Sequence, residues 1–460
     1  MSDPIDTKRS TDAHSTGSTV SSATAPHTAR LGPTISRRRL LATLGAAAAG
    51  ALSLSAPVFG QASAGRVVVV GGGFGGATAA KTLKRRNPRI DVTLVEPATR
   101  FYTCPFMNLY LGGLRTFEQQ GHDFVELRSL GIDVVHEFAT DVDSSTKTVT
   151  LASGRQLRYD KLVLSPGIDF RWNAMAGYDE AAAQLAPHAW KAGAQTKLLK
   201  QQLDAMPDGG LFLMTIPGNP YRCPPGPYER LSMIAHYFKT TKPKSKILVL
   251  DAKESFSKQP LFTDGWKRFY GDMIEWVPST QDGTVVRVDA SILQVETEFG
   301  QRHQAAVLNV IPPQQAGLIA QRAGTTDKSG WVPVQAQTFE SSQVPDIYVV
   351  GDATVAVPMP KSGFCANAQA KVAAAAIVAA LAGQEAPRAS WANTCYSLVA
   401  PDYGISVAGV FEVQDGKIVE VKGSGGISPR QASDDFRKRE ADYGVGWYNA
   451  ISQDTWGTRG

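Results

Sequence analysis

The hydrophobic pattern of this 460-residue chain consists of short, continuous apolar runs separated by glycine-rich turns and helix-like segments. Residues 67–70 are four valines in a row, and the segments 159–169, 210–216, 245–252 and 344–356 each contain another apolar run. Apolar runs without alternation are typical of strands that are buried on both faces of a parallel sheet. The pattern therefore predicts an α/β fold with two Rossmann-like dinucleotide-binding domains.

The first apolar run is followed by the parts of a dinucleotide-binding unit. Gly71, Gly73 and Gly76 form a G-x-G-x-x-G turn, a helix is predicted over residues 77–84, and the second strand ends on Glu96. In such a unit the glycines make the turn, let the backbone approach a pyrophosphate, and let helix and strand pack closely. The acid accepts from a ribose hydroxyl and disfavours a 2′-phosphate. The pattern predicts FAD or NAD rather than NADP.

Two later motifs select FAD. The run in residues 344–356 ends in a Gly-Asp pair at Asp352, and this resembles the second flavin motif of the two-dinucleotide-domain flavoproteins related to glutathione reductase. A Ser-Pro-Gly turn within residues 159–169 resembles the point at which the chain of those proteins leaves the FAD domain. The resemblance implies that Asp352 holds the ribityl chain of FAD.

The middle of the chain has the strands of a second dinucleotide-binding unit without its glycines. After the strand at 210–216 comes PGNPYRCPPGPYERL, which is rich in proline and has no G-x-G-x-x-G. Proline supplies no N–H for a pyrophosphate, so we expect no nicotinamide site. Asp251, after the next strand, is interpreted as a strand-end residue rather than a ribose ligand. Cys223 lies in the turn, where ligands of open α/β sheets bind, and its alternative is a small buried apolar residue.

The N-terminal region predicts export. Arginines at 37–39 precede an Ala- and Leu-rich run and the small-residue stretch 62–64. This is the order of an export signal, and the paired arginines resemble a twin-arginine signal. We interpret residues 1–64 as the signal peptide of a periplasmic protein that folds around a bulky cofactor before export. An uncleaved anchor, or a tail with a chance basic run, is the alternative.

Charge and hydropathy argue against two classes of partner. The chain has 47 Lys and Arg and 42 Asp and Glu, of which residues 1–64 hold six and three, so the mature chain carries 41 against 39, or +2. This leaves no basic field for a nucleic acid. No later apolar run reaches the roughly 18 residues of a spanning helix, so we expect no membrane span in the mature chain. Four cysteines are too few for a disulfide scaffold, although a pair can close in an oxidising compartment.

Five longer motifs occur in order along the chain: YTC followed by N and GG, RCPPGPYER, GDA, PMPKSG and NTCYSLVAPDYGISV. Together they resemble the flavoprotein subunit of flavocytochrome c sulfide dehydrogenase, from about residue 65 to the C-terminus. That family is similar in fold to glutathione reductase and to sulfide:quinone oxidoreductases. The resemblance implies that Cys104 carries FAD through an 8α-methyl thioether, and that Cys223 and Cys395 form a redox-active disulfide beside the flavin.

Cys365 departs from the family pattern, because relatives have a small residue there. A disulfide that includes Cys365 therefore remains an alternative to the pair of Cys223 and Cys395. Cys365 is expected to open an alanine-rich helix over residues 366–382. The N-terminus of that helix, together with Lys361, is expected to stabilise negative charge on the reduced flavin ring.

The implied activity is that of a sulfide:cytochrome c oxidoreductase with no metal site. Hydrosulfide attacks the disulfide to give a persulfide and a thiolate, and two electrons pass through FAD to a c-type cytochrome subunit or a soluble cytochrome c. Two alternatives remain. A sulfide:quinone oxidoreductase needs an amphipathic membrane-seating segment, which the C-terminus lacks. An accessory flavoprotein would instead reactivate a thiosulfate-oxidising multienzyme system.

The predicted domains are the signal peptide at 1–64, a discontinuous FAD-binding domain at 65–172 and 300–385, a degenerate NAD-type domain at 173–299 and a small α+β C-terminal cap domain at 386–460. In the cap, a hairpin is predicted around the turn at Asp415, followed by a helix. Trp447 and Tyr448 are interpreted either as neighbours of an electron exit or as anchors of that helix. His188 is interpreted as a packing or capping residue rather than a base.

Overall fold

The computed structural model describes residues 63–457 of the chain. The predicted signal peptide at 1–64 lies almost entirely outside these residues and stays a prediction. Nine α-helices form within the described range: α1 (Phe74–Arg86), α2 (Met107–Leu111), α3 (Val125–Ser129), α4 (Ala194–Ala205), α5 (Gly226–Thr241), α6 (Gln259–Tyr270), α7 (Leu318–Arg322), α8 (Gly363–Leu381) and α9 (Asp434–Trp456).

The strands, in chain order, fall into three groups. The first ten are β1 (Arg66–Val70), β2 (Asp91–Val95), β3 (Phe101–Tyr102), β4 (Gly121–His122), β5 (Asp133–Val135), β6 (Ala139–Asp143), β7 (Thr148–Leu151), β8 (Gln156–Arg158), β9 (Lys161–Leu164) and β10 (Ile168–Phe170). The next eight are β11 (Leu211–Ile216), β12 (Lys246–Asp251), β13 (Ile274–Val277), β14 (Val285–Asp289), β15 (Gln294–Thr297), β16 (Arg302–Gln304), β17 (Val307–Val310) and β18 (Gln314–Ala316). The last are β19 (Val332–Pro333), β20 (Ile347–Val349), β21 (Thr354–Val355), β22 (Ser390–Ala400), β23 (Tyr403–Gln414), β24 (Lys417–Glu420) and β25 (Gly426–Ile427).

The first sheet has the strand order β20-β9-β1-β2-β5, and all of its pairs are parallel. Its central strand β1 carries the four valines of the predicted buried run. Val67 and Val69 pack into the core that includes α1 and α8, while Val68 and Val70 face the core shared with the second sheet. Because both faces of β1 are covered, a continuous apolar run is the pattern that this strand requires.

The second sheet has the order β13-β12-β11-β17, and it is also entirely parallel. Its two central strands, β11 and β12, coincide with the runs predicted at 210–216 and 245–252. The helix α5 begins in the proline-rich turn after β11, with Pro225 at its N-cap. The predicted α/β fold with two dinucleotide-type sheets is therefore confirmed, whereas the predicted domain boundaries stay a prediction.

The C-terminal region is an antiparallel sheet covered by one long helix. Strands β22, β23 and β24 pair in sequence order, and the two-residue turn between β23 and β24 has positive φ at Asp415 (50°) and Gly416 (72°). These are the angles that a tight hairpin turn needs. The helix α9 packs on β23 and also on α1 of the first sheet. Both the predicted hairpin and the predicted helix form.

The helix α8 corrects the expectation about apolar runs. Among the described residues it is the one helix that is long and apolar enough, by length and composition, to cross a membrane. It has 19 residues, and 61% of its most apolar stretch is buried inside the protein. Its alanines pack against α1, as expected of a core helix, and Asn367 and Gln369 interrupt the run that the sequence analysis searched for.

The helix α9 is tied to the segment that carries Cys104 and to the glycine turn after β1. The hydroxyl of Tyr448 lies 2.8 Å from the Thr103 hydroxyl, and the indole N–H of Trp456 donates to the Gly72 carbonyl at 3.1 Å. The buried Lys81 ammonium in α1 donates to carbonyls in the last turn of α9, and burial lowers its pKa to about 8. The C-terminal helix thus covers the turn predicted to bind a dinucleotide.

Tyr448→Phe tests this attachment. The change removes the buried hydroxyl that contacts Thr103, so we expect the free energy of unfolding to fall by about 1 to 2 kcal/mol. The measurement is the shift in the urea unfolding midpoint at constant slope. Tyr443→Phe is the matched control, because Tyr443 is 58% exposed on the same helix. An equal loss in both variants would contradict a specific role for Tyr448.

Candidate functional site

A cavity of about 680 Å³ lies at the carboxyl ends of the parallel strands. Its lining joins the residues that follow β1, β2, β9 and β20 to the turn after β11 and to β22. Seven of the nine predicted site residues line it: Gly71, Gly73, Glu96, Cys104, Cys223, Asp352 and Cys395. The other two, Gly76 and Lys361, lie outside its lining. The fold therefore brings together residues from four separate parts of the sequence.

The glycine turn leaves no room for side chains. A Cβ atom on Gly76 would lie 1.8 Å from the Gly71 carbonyl oxygen, and one on Gly71 would lie 2.3 Å from the Ser165 carbonyl oxygen. Gly71 also has a φ of 102°, which disfavours any other residue. Gly73 is the N-cap of α1, so the free N–H groups of that helix point into the cavity mouth. This arrangement suits a pyrophosphate.

Glu96 follows β2 and is buried at the cavity wall. One carboxylate oxygen accepts from the Gly72 N–H at 2.7 Å, and the other accepts from the Ala98 N–H at 3.0 Å. Burial raises its pKa, and these two N–H groups oppose the rise. Each oxygen keeps a further lone pair, so the carboxylate can still accept from the hydroxyls of a ribose.

Asp352 is buried and incompletely paired. Its Oδ1 atom has no hydrogen-bond partner among the described residues, and its Oδ2 atom lies 3.9 Å from the Arg222 guanidinium. Burial raises the pKa of Asp352, and Arg222 and Lys361 oppose the rise. A buried acceptor without a donor implies a ligand, because such an atom is costly to leave unpaired.

Lys361 is placed differently from the prediction. Its ammonium donates to the carbonyl oxygens of Asp352 (2.8 Å) and Thr354 (2.6 Å) and lies 3.8 Å from the centre of the Trp331 ring. Burial lowers its pKa to about 8. Lys361 therefore faces the loop after β20 rather than the cavity, and its interaction with a flavin ring stays a prediction.

The residues present fit an extended flavin dinucleotide. The backbone turn at Gly71 and Gly73 accepts a pyrophosphate, Glu96 stands at the end where a ribose lies, and Asp352 offers an unpaired oxygen further along the same cavity. Apolar residues at the remaining walls, such as Phe101 and Leu109, suit aromatic rings.

Cys104 lies between β3 and α2, where Phe106 adopts a left-handed conformation with φ of 67°. Its sulfur lies 3.6 Å from the carbonyl oxygen of Trp190. Its own carbonyl accepts the first N–H of α2, from Met107, at 3.1 Å. The segment is thus fixed at both ends, and its thiol faces the cavity.

Cys223 lies in the proline-rich turn before α5 and has a φ of 59°. Its N–H donates to the Lys361 carbonyl and its carbonyl accepts from the Gly226 N–H, both at 2.8 Å. Burial raises the pKa of its thiol well above the usual range, and the nearby Glu229 carboxylate adds to the rise. The turn therefore holds a neutral thiol, or its oxidised form, in a fixed position.

Cys395 lies in the middle of β22 and reaches the same cavity from the C-terminal region. The side-chain amide of Asn393 contacts its sulfur at 3.6 Å. Burial raises the pKa of the Cys395 thiol, and the Lys258 ammonium opposes the rise. Each of Cys223 and Cys395 faces the other's charge, and both are free thiols in this structure. Their predicted pairing stays a prediction.

Three functional candidates were missed in the sequence analysis. Glu229 lines the cavity six positions after Cys223, and its carboxylate accepts from the Ser397 hydroxyl at 2.6 Å. Lys258 donates to the same hydroxyl at 2.6 Å. Glu229 belongs to the RCPPGPYER motif and was within reach of the sequence analysis. Lys258 and Ser397 lie in segments with no recognisable motif, so only the tertiary structure identifies them.

Cys365 lies outside the cavity lining. It is in the first turn of α8, where the Ser362 side chain caps the helix by accepting from its N–H at 3.0 Å. Its sulfur is buried and lies 3.4 Å from Oδ1 of Asn393, the residue that also contacts Cys395. Burial raises the pKa of its thiol. The predicted helix opening at Cys365 is confirmed, and its exclusion from a disulfide stays a prediction.

Asp251 and His188 have structural partners. The Asp251 carboxylate accepts from the Tyr228 hydroxyl at 2.6 Å, the Trp276 indole at 2.9 Å and the Lys253 ammonium at 2.5 Å. It therefore has little capacity left for a ribose. His188 accepts from the Trp190 N–H at 2.9 Å, and burial lowers its pKa to about 3. Both residues fit the structural interpretations rather than the chemical ones.

Trp447 and Tyr448 have separate roles. Tyr448 is buried and stacks on Phe106, with ring centroids 4.5 Å apart, so it anchors α9 to the segment around Cys104. Trp447 lines the cavity, and its indole N–H is buried without a partner among the described residues. The anchoring interpretation describes Tyr448, and an electron exit at Trp447 remains a prediction.

Three family models match successive parts of the chain. The model for pyridine nucleotide-disulphide oxidoreductases matches residues 65–203. The model for the central part of the sulfide dehydrogenase [flavocytochrome c] flavoprotein chain matches residues 196–312. The model for the flavin-binding part of flavocytochrome c sulphide dehydrogenase matches residues 387–456, which include Cys395.

Individual proteins agree with these models. The sulfide dehydrogenase [flavocytochrome c] flavoprotein chain of Chlorobaculum thiosulfatiphilum is 70% identical over 43 residues, which are 9% of this chain and 90% of that sequence. Mouse mitochondrial sulfide:quinone oxidoreductase is 24% identical over 322 residues, 66% of this chain and 69% of its own length. The solved sulfide:quinone oxidoreductase of Aquifex aeolicus superposes with a TM-score of 0.66 at 19% identity, covering 85% of this chain and 92% of that chain.

Gly76→Ala tests the dinucleotide turn. The added methyl group would overlap the Gly71 carbonyl, so α1 must move away from β1. We expect a loss of about 1–3 kcal/mol in the free energy of unfolding and a lower flavin absorbance per chain after purification. Gly446→Ala is the control, because a Cβ atom there meets nothing within 4 Å. Wild-type flavin content in Gly76→Ala would contradict the assignment of the turn.

Proposed function

The chain belongs to the family of flavocytochrome c sulfide dehydrogenase flavoprotein subunits, and from this premise we propose that it oxidises sulfide and passes the electrons to a c-type cytochrome. One observation carries the proposal. Cys223, from the turn after β11, and Cys395, from β22, line a single cavity whose glycine turn and acids fit FAD. The turn after β11 is rich in proline where a nicotinamide site would need glycines, which supports entry of the electrons through sulfur.

The oxidation begins at a disulfide between Cys223 and Cys395. Hydrosulfide attacks one of the two sulfurs; a new S–S bond forms to give a persulfide, the old S–S bond breaks, and the other cysteine leaves as a thiolate. Glu229 faces both sulfurs and takes the proton that H2S releases as it becomes the nucleophile. FAD, when bound, supplies the acceptance of two electrons together and their return one at a time, as a haem requires.

The protein holds the reacting groups in place and excludes water. Cys223 is fixed through backbone hydrogen bonds to Lys361 and Gly226, and Cys395 is fixed within a paired strand. The segment with Cys104 is held by Tyr448 of α9. We propose that Cys104 carries the cofactor by a thioether bond, so that it is retained in the periplasm after export by the twin-arginine route.

A quinone is the second candidate for the electron acceptor. It is favoured by the similarity to the mouse sulfide:quinone oxidoreductase, which extends over 66% of this chain. The two acceptors are distinguished by a sulfide titration of the flavin spectrum, followed by addition of either oxidised cytochrome c or a water-soluble quinone. Reoxidation of the flavin by quinone alone would replace the proposed cytochrome by the second candidate.

Cys104→Ser tests covalent attachment. In wild type, the denatured band on a gel should fluoresce under acid, because a thioether survives denaturation. In Cys104→Ser the band should be dark, while FAD is released into the supernatant when the folded, flavin-containing protein is denatured. Cys365→Ser is the control and should fluoresce like wild type. A dark wild-type band, or a fluorescent Cys104→Ser band, would exclude a link through Cys104.

Cys223→Ser and Cys395→Ser test the disulfide mechanism. Each variant loses one sulfur of the pair, so we expect sulfide-dependent reduction of cytochrome c to fall by more than about 10³-fold while flavin content is retained. Cys365→Ser should keep most of the activity, since its sulfur lies outside the cavity lining. Loss of activity in Cys365→Ser together with full activity in Cys223→Ser would mean that the pairing is wrong.

A further inference from the structure

A continuous line of buried polar side chains connects Lys258 to the cavity. The Lys258 ammonium donates to the Ser397 hydroxyl at 2.6 Å, and that hydroxyl donates to Oε1 of Glu229 at 2.6 Å. The same ammonium donates to the backbone carbonyl of Cys395 at 3.2 Å. Lys258 is 4% exposed and Ser397 is 2% exposed, so water does not take part.

Three different elements supply these groups. Lys258 is the N-cap residue of α6 and adopts a left-handed conformation with φ of 61°. Glu229 lies in the first turn of α5, and Ser397 lies on β22 two positions after Cys395. Residues two apart in a strand point to the same face, so Ser397 and Cys395 share the face of β22 that is turned toward α5 and α6.

The charges that face this line are few. Lys258 faces the ionisable groups of Glu229, Cys395, Cys223 and, more weakly, Glu440. A buried ammonium is strongly unfavourable unless it is compensated. The compensation here comes from groups of the cavity, and Lys258 has no carboxylate within the 4.0 Å of an ion pair among the described residues. The intervening Ser397 hydroxyl separates Lys258 from Glu229.

The electrostatic effects are mutual. Burial lowers the pKa of Lys258, and Glu229 opposes this. Burial raises the pKa of Glu229, and Lys258 opposes it, as do hydrogen bonds from Ser397 and Asn108. Burial raises the pKa of Cys395, which Lys258, Asn393 and Ser362 oppose and Glu229 reinforces. Lys258 is therefore the cation shared by the carboxylate and by one sulfur of the predicted pair.

We propose that Lys258 is a positioning residue of the sulfide-oxidising site, which acts through Ser397 to keep Glu229 ionised as the proton acceptor and which favours the thiolate at Cys395 in the reduced protein. The inference rests on the proposed function. Lys258 touches neither the sulfurs nor the cavity, so its effect is exerted through the two groups that it orients and stabilises. No electron or covalent bond passes through it.

The test compares Lys258→Met with Lys258→Arg in the full-length, flavin-containing protein. Without the positive charge the pKa of Glu229 rises, so the acid limb of kcat/KM for sulfide should move to higher pH by about one to three pH units. The pKa of the Cys395 thiol rises for the same reason. Its alkylation by iodoacetamide in the reduced protein, followed by peptide mapping, should be about tenfold slower for each pH unit by which that pKa rises. Lys258→Arg keeps the charge and should restore both profiles.

Two control pairs separate this role from packing. Ser397→Ala breaks the line and should shift the acid limb in the same direction, while Ser397→Thr keeps a hydroxyl and should not. Lys253→Met removes another buried ammonium, paired with Asp251 and facing neither cysteine, and should leave both profiles in place. If Lys258→Met does not fold, the two Ser397 variants decide the question.

Unshifted profiles in Lys258→Met and Ser397→Ala, with flavin content intact, would overturn the proposal. So would an equal shift in Lys253→Met. The outcome is distinguishable from failure of the proposed function. A wild-type protein that does not oxidise sulfide rejects that function, but the alkylation profile of Cys395 still reports whether Lys258 favours its thiolate.

Discussion

Desolvation is the physical constraint on which the rest of the site depends. Burial is the largest cause of the pKa shift at Glu96, Asp352, Cys223, Cys395 and Glu229 alike. In such surroundings each charge interacts strongly with its neighbours, and each polar atom needs a partner. The backbone amides, Arg222, Lys361 and Lys258 supply the partners. The remaining unpaired acceptor, on Asp352, lies where a cofactor hydroxyl is expected.

The cavity exists only because distant parts of the chain converge. The carboxyl ends of parallel strands collect the glycine turn, both acids and Cys223 at one edge, which is a general property of open α/β sheets. The antiparallel sheet then adds Cys395 from another direction, and α9 covers the turn after β1. Two cysteines that are far apart in sequence therefore meet in a volume from which water is largely excluded, and a neutral thiol is the resting form of both when reduced.

The sequence allowed prediction of whatever depends on local patterns. Buried strands, the glycine turn, Glu96, the hairpin at Asp415 and the last helix all follow from runs, spacing and turn residues, and all formed. Lys361 was expected beside a flavin, but its direction depends on the carbonyls of Asp352 and Thr354, which no local pattern reveals. The length of α8 was missed because two amides interrupt its alanines. Lys258 and Ser397 could not be predicted, since their meaning arises only where α5, α6 and β22 touch.

The hydrogen bond between Trp456 and Gly72 joins residues that are 384 positions apart. The turn after β1 is therefore synthesised among the first parts of the fold, while its cover is synthesised among the last. During translation the emerging turn has no lid, so a dinucleotide that reaches it early can leave again. Stable capture of the cofactor must follow the release of α9 from the ribosome, which makes loading of this protein a late, post-translational event.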